Sequence, residues 1–300
     1  MEGVWRSTMQ RAAGQFSAAL SWLGNRAAND IGVLLYHRLA DRVSGLAEPT
    51  INVTPSQFCQ QLSGLQQRGY QFWPLSRILD EVEAGRSSLP EQVAVLTFDD
   101  GHQSVFTEGF PILRELQIPA TIFVNTAFLD STDPFPFDRW GLQYREKLPG
   151  AAYRPLQWSQ CQEMLDSGLI ELGAHTHTHG DFRGRPADFQ DDLRQSIDIL
   201  RERLGVQRPS FAFPFGRRSL GYVSEELIAA ARRTGVRCAL TTDVALVSAN
   251  SDPFGWGRFN IYDWDTPATI TARLRGWYAW APRFQDRLVR WTGRAAGATP

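Results

Sequence analysis

The sequence lacks any apolar run as long as the roughly 18–20 residues that cross a bilayer. No signal peptide is recognisable either, because Arg6 and Arg11 interrupt the first 30 residues and leave only short apolar stretches. Cysteine is scarce: Cys59, Cys161 and Cys238 share no C-x-x-C spacing, and their odd number argues against a disulfide framework. We therefore expect a cytoplasmic protein with reduced thiols.

The sequence also lacks an excess of charge of either sign. A net charge of −1 provides no field that would attract nucleic acid, so we expect no nucleic-acid partner. The one local excess lies between residues 273 and 294, where six arginines stand against a single acid, Asp286. With its three tryptophans, this segment predicts either a helix packed on the domain or a peripheral contact with an anionic membrane, such as the inner face of the cell membrane.

Internal repeats are absent, and strand-like and helix-like segments alternate through the middle of the chain. The run V-A-V-L-T-F at 93–98 is typical of a strand buried on both faces, and Thr54-Pro55 of a helix start. Further strands are predicted at residues 32–36, 120–124, 169–174, 210–213 and 236–240, and helices at 54–68, 75–84, 104–116, 159–167, 187–204 and 224–233. This alternation predicts the α/β class, with six or seven parallel strands in a distorted or incomplete (β/α) barrel.

The chain divides into three parts on this pattern. Residues 1–30 are interpreted as an N-terminal helical extension, 31–262 as the main domain, and 263–300 as a basic, aromatic, helical tail. Within the main domain, the proline-rich and aromatic stretch 125–155 breaks the alternation. We interpret it as a long loop over one mouth of the barrel, because loops of this length are usually functional.

Polar residues follow several of the predicted strands. Asp99 and Asp100 leave the strand at 93–98, and two adjacent carboxylates there need a cation or a basic partner, unless one of them simply caps the next helix. His175 and His179 follow another strand, and a helical turn would bring both to one ion while His177 points elsewhere; the alternative is a solvated polar loop. Two imidazoles and one carboxylate form the usual layout of a catalytic zinc site.

Two further strand ends carry residues of interest. The turn Pro214-Phe215-Gly216 can aim backbone N–H groups into the barrel mouth as an oxyanion hole requires, or it is a plain strand-to-helix turn. His37 ends the first strand, where a single histidine is more often structural. His102 follows Asp-Asp-Gly and is either a support for a metal ligand or a polar loop residue. The convergence of four such strand ends on one barrel face favours a functional site.

Over residues 31–262 the sequence resembles the polysaccharide deacetylases of the NodB-like superfamily, carbohydrate esterase family 4. T-F-D-D-G at 97–101 is similar to the first motif of the family, which implies that Asp99 is the general base and Asp100 a metal ligand. H-T-H-T-H at 175–179 is similar to the second motif, which implies His175 and His179 as the other ligands. P-F-G at 214–216 is similar to the end of the third, which implies an oxyanion-binding N–H at Phe215.

The sequence departs from the family pattern in two respects. The third motif normally carries an arginine that steadies the base, and Ala212 stands at that position, with Arg217 and Arg218 near it along the chain. The family's general acid usually comes from a C-terminal L-x-H, which is missing after residue 179, whereas Leu35-Tyr36-His37 has that pattern. The resemblance is therefore to the circularly permuted branch, with His37 as the general acid.

The resemblance implies a hydrolase that removes N-acetyl groups from an N-acetylated glycan in exopolysaccharide metabolism, with a divalent metal ion, zinc before others, as cofactor. Leu35, Pro214 and Trp140 are expected to contact the substrate. Aromatic residues of 125–155 could stack on sugar rings or only pack together; they are Phe128, Phe135, Phe137, Trp140 and Tyr144. Two alternatives remain: a glycan-binding protein without catalysis and an O-acetyl esterase.

Overall fold

The computed structural model describes residues 30–49, 51–86 and 88–276. The strands are β1 (Gly32–Tyr36), β2 (Arg38–Leu39), β3 (Asn52–Val53), β4 (Gln71–Phe72), β5 (Val93–Phe98), β6 (Ala120–Val124), β7 (Ile170–Ala174), β8 (Phe211–Ala212), β9 (Ala239–Leu240) and β10 (Phe259–Asn260). The α-helices are α1 (Pro55–Gln66), α2 (Leu75–Glu83), α3 (Phe110–Leu116), α4 (Arg139–Tyr144), α5 (Trp158–Asp166), α6 (Pro186–Leu204), α7 (Glu225–Arg233) and α8 (Pro267–Leu274).

All pairings in the main sheet are parallel, in the order β10-β1-β5-β6-β7-β8-β9, and β4 pairs with the start of β5. The segment 256–260 links the two edges of this sheet. Its Trp256 bridges to Leu240 of β9, and its Phe259 aligns with Leu34 of β1. The fold is the incomplete, distorted barrel that the sequence predicts.

Alternate residues of the central strands enter two different parts of the core. In β5, Ala94, Leu96 and Phe98 pack under the surrounding helices, whereas Val93 and Val95 pack inside the curled sheet. Both faces of the strand are therefore buried, which explains why its sequence is continuously apolar rather than alternating. The predicted bounds of β1, β5 and β6 are confirmed.

Capping residues set the ends of the helices. Thr54 has an extended backbone, and its side chain accepts a hydrogen bond from the N–H of Gln57, so α1 begins at Pro55 as predicted. Helix α6 ends at Leu204, and the following Gly205 adopts φ 70°, the left-handed conformation that glycine takes most readily. These short-range rules are the reason that helix positions were predictable.

The structure differs from the prediction at four places. The helix predicted at 104–116 begins as a π-helical turn at Val105–Gly109, because Pro111 has no N–H to continue a regular α-helical ladder. The last predicted strands are shorter, with only two residues each in β8 and β9. The loop 125–155 contains helix α4, and the short strands β2, β3, β4 and β10 were not predicted.

The domain also extends past its predicted boundary at 262. Helix α8 packs against α1 and β1, and the Leu274 side chain occupies the space where a Cβ on Gly32 would lie. The ordered domain therefore includes residues 263–276. The predicted extension at 1–30, apart from its last residue, and the remainder of the tail, 277–300, lie outside the described residues. Among the helices that are described, none is long and apolar enough to cross a membrane.

Candidate active site

The carboxyl ends of the parallel strands bring the predicted site residues into one cleft. Asp99 and Asp100 follow β5, His175 follows β7, and His37 follows β1. His179 joins them from the loop after β7. Because parallel strands all end at the same edge of the sheet, residues far apart in sequence meet there.

Strained backbone is concentrated at this cleft. Seven described residues other than glycine have a positive φ, and four of them belong to the site: Asp100 (70°), Thr176 (66°), His179 (55°) and Phe215 (60°). Such conformations cost of order 1–3 kcal/mol each and persist only where surrounding contacts impose them. The concentration here indicates that the loops are shaped for side-chain placement.

Asp100, His175 and His179 form a cluster that can hold one metal ion. Their ligand atoms lie within 4.8 Å of one another, and Asp100 Oδ1 is 3.5 Å from the Nε2 atoms of both histidines. Ligands placed tetrahedrally around a zinc ion at its usual bond lengths stand about 3.3 Å apart. Two imidazoles and a carboxylate also match zinc in donor type, so the residues fit the ion.

Neighbouring groups orient these three ligands. His175 Nδ1 lies 2.8 Å from the Ala212 carbonyl, which fixes a tautomer with a free lone pair on Nε2. Asp192, on α6, accepts hydrogen bonds from the backbone N–H of His177 (2.6 Å) and of Thr178 (3.2 Å). The turn that carries both histidine ligands is therefore fixed from a helix.

Asp99 is held by a buried arginine that the sequence motifs did not reveal. Arg258 is fully buried and donates to both carboxylate oxygens of Asp99, at 2.6 and 2.7 Å, while its Nε donates to the Thr241 carbonyl. This bidentate pairing fixes the plane of the carboxylate. Arg258 thus supplies the cation beside Asp99 that Ala212 cannot, whereas Arg218 pairs with Glu225 and Asp243 instead.

The charges around the two carboxylates keep both ionised. Burial raises the pKa of Asp99, but Arg258 and then His175 outweigh burial, so the pKa lies below its ordinary value. Burial also raises the pKa of Asp100, but hydrogen bonds from His102 and His175 hold it well below the usual range. Asp99 and Asp100 in turn raise the pKa of His175 in spite of its burial.

His37 lies in the cleft, and its environment differs from the one expected. The role of general acid that the resemblance implies for His37 requires a protonated imidazole, which nearby carboxylates favour. In the structure burial lowers the pKa of His37, and Asp100 and Asp99 only partly oppose this. The burial comes from the packing around the end of β1, which lies between β5 and β10 and leaves His37 only partly exposed.

The two remaining histidines have distinct surroundings. His102 Nε2 lies 3.7 Å from Asp100 Oδ2, and its ring meets the edge of Phe135 at 4.9 Å, so it contacts a metal-site carboxylate directly. His177 points away from the cluster, as predicted, with its ring nitrogens near Thr126 Oγ1 and Gln195 Nε2. His102 is therefore placed to orient Asp100, and His177 is a structural residue of the loop.

The turn after β8 presents a backbone donor beside the metal cluster. Phe215 has φ 60°, and its ring meets that of His179 at 4.8 Å. Within the described part of the chain, no acceptor takes the Phe215 N–H. Gly216 allows the tight turn, since a Cβ there would lie 2.8 Å from the backbone nitrogen of Thr242. The Phe215 N–H therefore stays a candidate oxyanion donor.

These residues line a cleft of about 630 Å³, a volume within the range of ligand pockets. The stretch 125–155 forms one wall of it. Phe137 stacks on His179 with ring centroids 3.8 Å apart, and Trp140 lines the cleft farther out, whereas Phe135 is fully buried in packing. A ligand in the cleft can therefore reach some aromatic residues of this stretch, while others only pack in the core.

Only one of the three predicted substrate contacts lines the cleft. Trp140 does so, but Leu35 is fully buried within β1, where its carbonyl accepts the Ile261 N–H. Pro214 is likewise buried beneath the turn that exposes Phe215. Leu35 supports strand β1, which packing buries along its whole length, and Pro214 supports the turn after β8.

Comparison with known proteins places this arrangement in a family. A family model described as polysaccharide deacetylase matches residues 86–239, about half of the chain, including the strand ends that carry Asp99, Asp100, His175 and His179. The chain belongs to the polysaccharide deacetylase family. The family prediction made from the motifs is thereby confirmed.

Named relatives include two poly-β-1,6-N-acetyl-D-glucosamine N-deacetylases. The protein of Staphylococcus epidermidis is 24% identical over 75% of this chain and 77% of its own length. The protein of Escherichia coli K12 is 32% identical over 74% of this chain, which spans only 35% of that relative. The solved Streptococcus pyogenes deacetylase PplD, in complex with acetate, is 23% identical with a TM-score of 0.67, covering 82% of this chain and 98% of its own. That likeness shows a shared fold.

Two supporting residues of this polysaccharide deacetylase escaped the sequence reasoning. Asp192 resembles any acid on the polar face of a helix, so no local signal marks it. Arg258 directly precedes the short strand β10. An arginine next to apolar residues at the start of a strand indicates a buried charge that needs a partner, and this signal could have identified it. Neither residue belongs to a local motif, because both act across elements distant in sequence.

Proposed function

We propose that this chain is a metal-dependent N-deacetylase that hydrolyses the acetamido groups of an N-acetylated polysaccharide. The observation that carries the proposal is the placement of Asp99, clamped by Arg258, directly beside the Asp100–His175–His179 cluster. A carboxylate with a fixed orientation next to a metal site is the arrangement that activates water. A protein that only bound glycans would have no use for a base held in this way.

Asp100, His175 and His179 would hold the divalent ion, for which zinc is the first candidate. When bound, this ion supplies Lewis-acid polarisation of the acetyl carbonyl and lowers the pKa of a bound water. The fixed tautomer of His175 and the contact from His102 to Asp100 keep the ligand atoms directed into the cleft. The carboxylate of Asp100 stays ionised at neutral pH, because its pKa is low.

Asp99 accepts the proton of the attacking water. Its low pKa keeps it ionised at neutral pH, and the two hydrogen bonds from Arg258 hold its carboxylate in one plane. The negative oxygen that develops on the acetyl carbon is stabilised by the N–H of Phe215. A donor fixed in advance stabilises this charge without reorganisation as the reaction proceeds.

His37 delivers the proton that the departing amine requires. An amide anion is too poor a leaving group to depart without protonation, so a general acid is needed on the leaving-group side. His37 lies in the same cleft as Asp99, which allows the two groups to act on one substrate.

The proposed substrate is a polymer of N-acetylglucosamine of the β-1,6-linked kind named for the relatives. Its proposed place of action is the cytoplasm, with the segment 277–300 in contact with the inner face of the membrane. Zinc is proposed as the native ion. Acetylated xylan distinguishes the alternative of an O-acetyl esterase. An esterase should release acetate from this substrate, whereas the proposed N-deacetylase should release little.

Acetate release from β-1,6-linked N-acetylglucosamine oligomers tests the proposal. The zinc-loaded protein should release acetate, and Asp99→Asn should lower kcat by about 10²–10⁴-fold with metal content unchanged, because a base is lost and a ligand is not. Asp198→Asn, on the exposed face of α6, is the matched control and should behave as the parent protein. Absence of acetate from every N-acetylated glycan, or full activity of Asp99→Asn, would reject the proposal.

A further inference from the structure

The two histidines of the metal cluster are held in different ways. Nδ1 of His175 lies 2.8 Å from the Ala212 carbonyl, the kind of outer partner that a metal-binding histidine usually has. Nδ1 of His179 is buried, and none of the described residues offers it a hydrogen-bond partner. The Thr176 hydroxyl accepts the His179 backbone N–H at 3.0 Å, but this contact leaves the ring free to rotate. Packing must therefore orient the His179 imidazole.

The ring of Phe137 lies flat against that imidazole. The two centroids are 3.8 Å apart and the planes differ by 21°. Phe215 meets the same imidazole at 4.8 Å, with planes 66° apart. Rings at a spacing of 3.8 Å are in van der Waals contact, so a rotation of the imidazole would push one of its edges into Phe137. The stack therefore restricts the torsion that directs Nε2 of His179 towards Asp100, 3.5 Å away.

Phe137 is itself held from behind. It stacks on Phe135, with centroids 5.1 Å apart and planes within 23°, and Phe135 is fully buried. The neighbouring residue Asp138 pairs with Arg38, whose side chain is 4% exposed. A stack of three rings, Phe135, Phe137 and His179, thus runs from the core to the metal cluster. The backing of His179 is in place before any ligand binds.

An aromatic face also suits an imidazole that binds a cation. A metal ion draws electrons from the ring of its histidine ligand, which makes that ring more positive. The face of a phenylalanine ring carries partial negative charge and attracts such a group. The contact between Phe137 and His179 should therefore be stronger in the metal-loaded protein than in the metal-free one, and this difference contributes to metal affinity.

We propose that Phe137 is a positioning residue of the metal centre, which holds the His179 imidazole with Nε2 directed at the ion. The inference rests on the proposed metal-dependent function and adds a residue that lies outside the three sequence motifs. Phe137 has no atom that can bind a metal ion, so its loss should weaken metal binding while the three ligands remain. It also connects the wall formed by the stretch 125–155 to the metal cluster.

Zinc affinity, measured by competition with a chromophoric chelator and without any glycan, tests this role. Phe137→Leu should raise the Kd for zinc by about 10-fold, the lower end of the range for loss of an outer partner of a metal ligand. Phe137→Tyr keeps the stacked ring and should restore most of the affinity. Phe106→Leu is the matched control, because Phe106 is also half-buried and stacked on a phenylalanine, Phe110, but lies outside the cleft.

Cobalt substitution gives a second measurement, which a general loss of stability would not change. The visible absorption bands of the Co²⁺-loaded protein depend on the geometry of the ligands around the ion. These bands should shift in Phe137→Leu and stay in place in Phe106→Leu. An unchanged zinc Kd with unchanged cobalt bands, or equal changes in Phe106→Leu, would overturn the inference.

The inference and the proposed function fail separately. Because the zinc Kd is measured without substrate, a 10-fold rise in Phe137→Leu supports the positioning role even if no acetate is released from any glycan. Acetate release by the parent protein together with an unchanged zinc Kd in Phe137→Leu rejects the positioning role alone. A higher KM for the glycan with an unchanged zinc Kd would assign Phe137 to substrate contact and would also overturn the inference.

Discussion

Replacing Arg258 by methionine removes the cation that donates two hydrogen bonds to Asp99. Asp99 is 2% exposed and Arg258 is fully buried, so the substitution would leave a buried negative charge without its positive partner. Breaking a buried pair by removing one partner costs about 3–5 kcal/mol. For a domain of this size that corresponds to a fall in Tm of roughly 6–15 °C.

The pH dependence of this loss follows from the pKa of Asp99. In the parent protein the folded-state pKa lies below the unfolded one, so the pair contributes stability above the unfolded pKa of about 3.9 and loses it as pH falls through the folded value. Without Arg258, burial becomes the dominant influence and raises the folded-state pKa above the unfolded one. The variant should therefore be most destabilised at neutral pH and recover relative stability as the solution is acidified.

Urea unfolding between pH 4 and 8 measures this difference, and the pH–rate profile of acetate release measures its catalytic counterpart. The acid limb of the profile should move to higher pH in Arg258→Met, because Asp99 must be ionised to act as a base. Arg258→Lys should be intermediate, since an ammonium cannot make the bidentate contact. Arg273→Met, which breaks the contact with Asp265, is the control and should lower stability without moving the acid limb. An Arg258→Met protein with the parent's stability and acid limb would refute the reasoning.

Three further predictions concern the metal, the acid and the tail. Asp100→Ala and His175→Ala should each lose most of the bound zinc, measured by atomic absorption after dialysis, whereas full occupancy in both would reject the ligand assignment. His37→Ala should reduce amide cleavage by about 10²–10⁴-fold and cleavage of nitrophenyl acetate far less, because only the amine leaving group needs a proton. His177→Ala is the control. Equal losses on both substrates in His37→Ala would make His37 structural. Removal of residues 277–300 should reduce flotation with anionic liposomes, and unchanged flotation would leave no role for this segment at a membrane.

Short-range patterns made most of the fold and half of the site predictable. The ends of β5 and β7 were recognisable because buried apolar runs stop abruptly at adjacent carboxylates or histidines, and the metal ligands fall within two short motifs. Helix starts such as Thr54-Pro55 depend on only three or four residues. In each case the physical cause lies within one turn or one strand of the chain.

What escaped prediction depends on contacts between distant segments. Arg258 is functional only because segment 256–260 returns to β1 and β9, and a strand of two residues has no periodicity to detect. Leu35 was assigned to substrate from its motif position, but its burial follows from the strands on both sides of β1. The shifted pKa of His37 has the same origin, since burial of a strand end is a property of the assembled sheet.

The position of β1 between β5 and β10 has a consequence for the order in which the enzyme becomes competent during synthesis. One neighbour of β1 emerges early, but the other lies about 225 residues farther along the chain. A nascent chain that has not reached β10 already contains every metal-binding residue and lacks the counter-ion of its base. The candidate ligand set is thus complete in the chain before the partner of Asp99 has been synthesised, and the clamped carboxylate exists only once the last parallel strand is added beside the first.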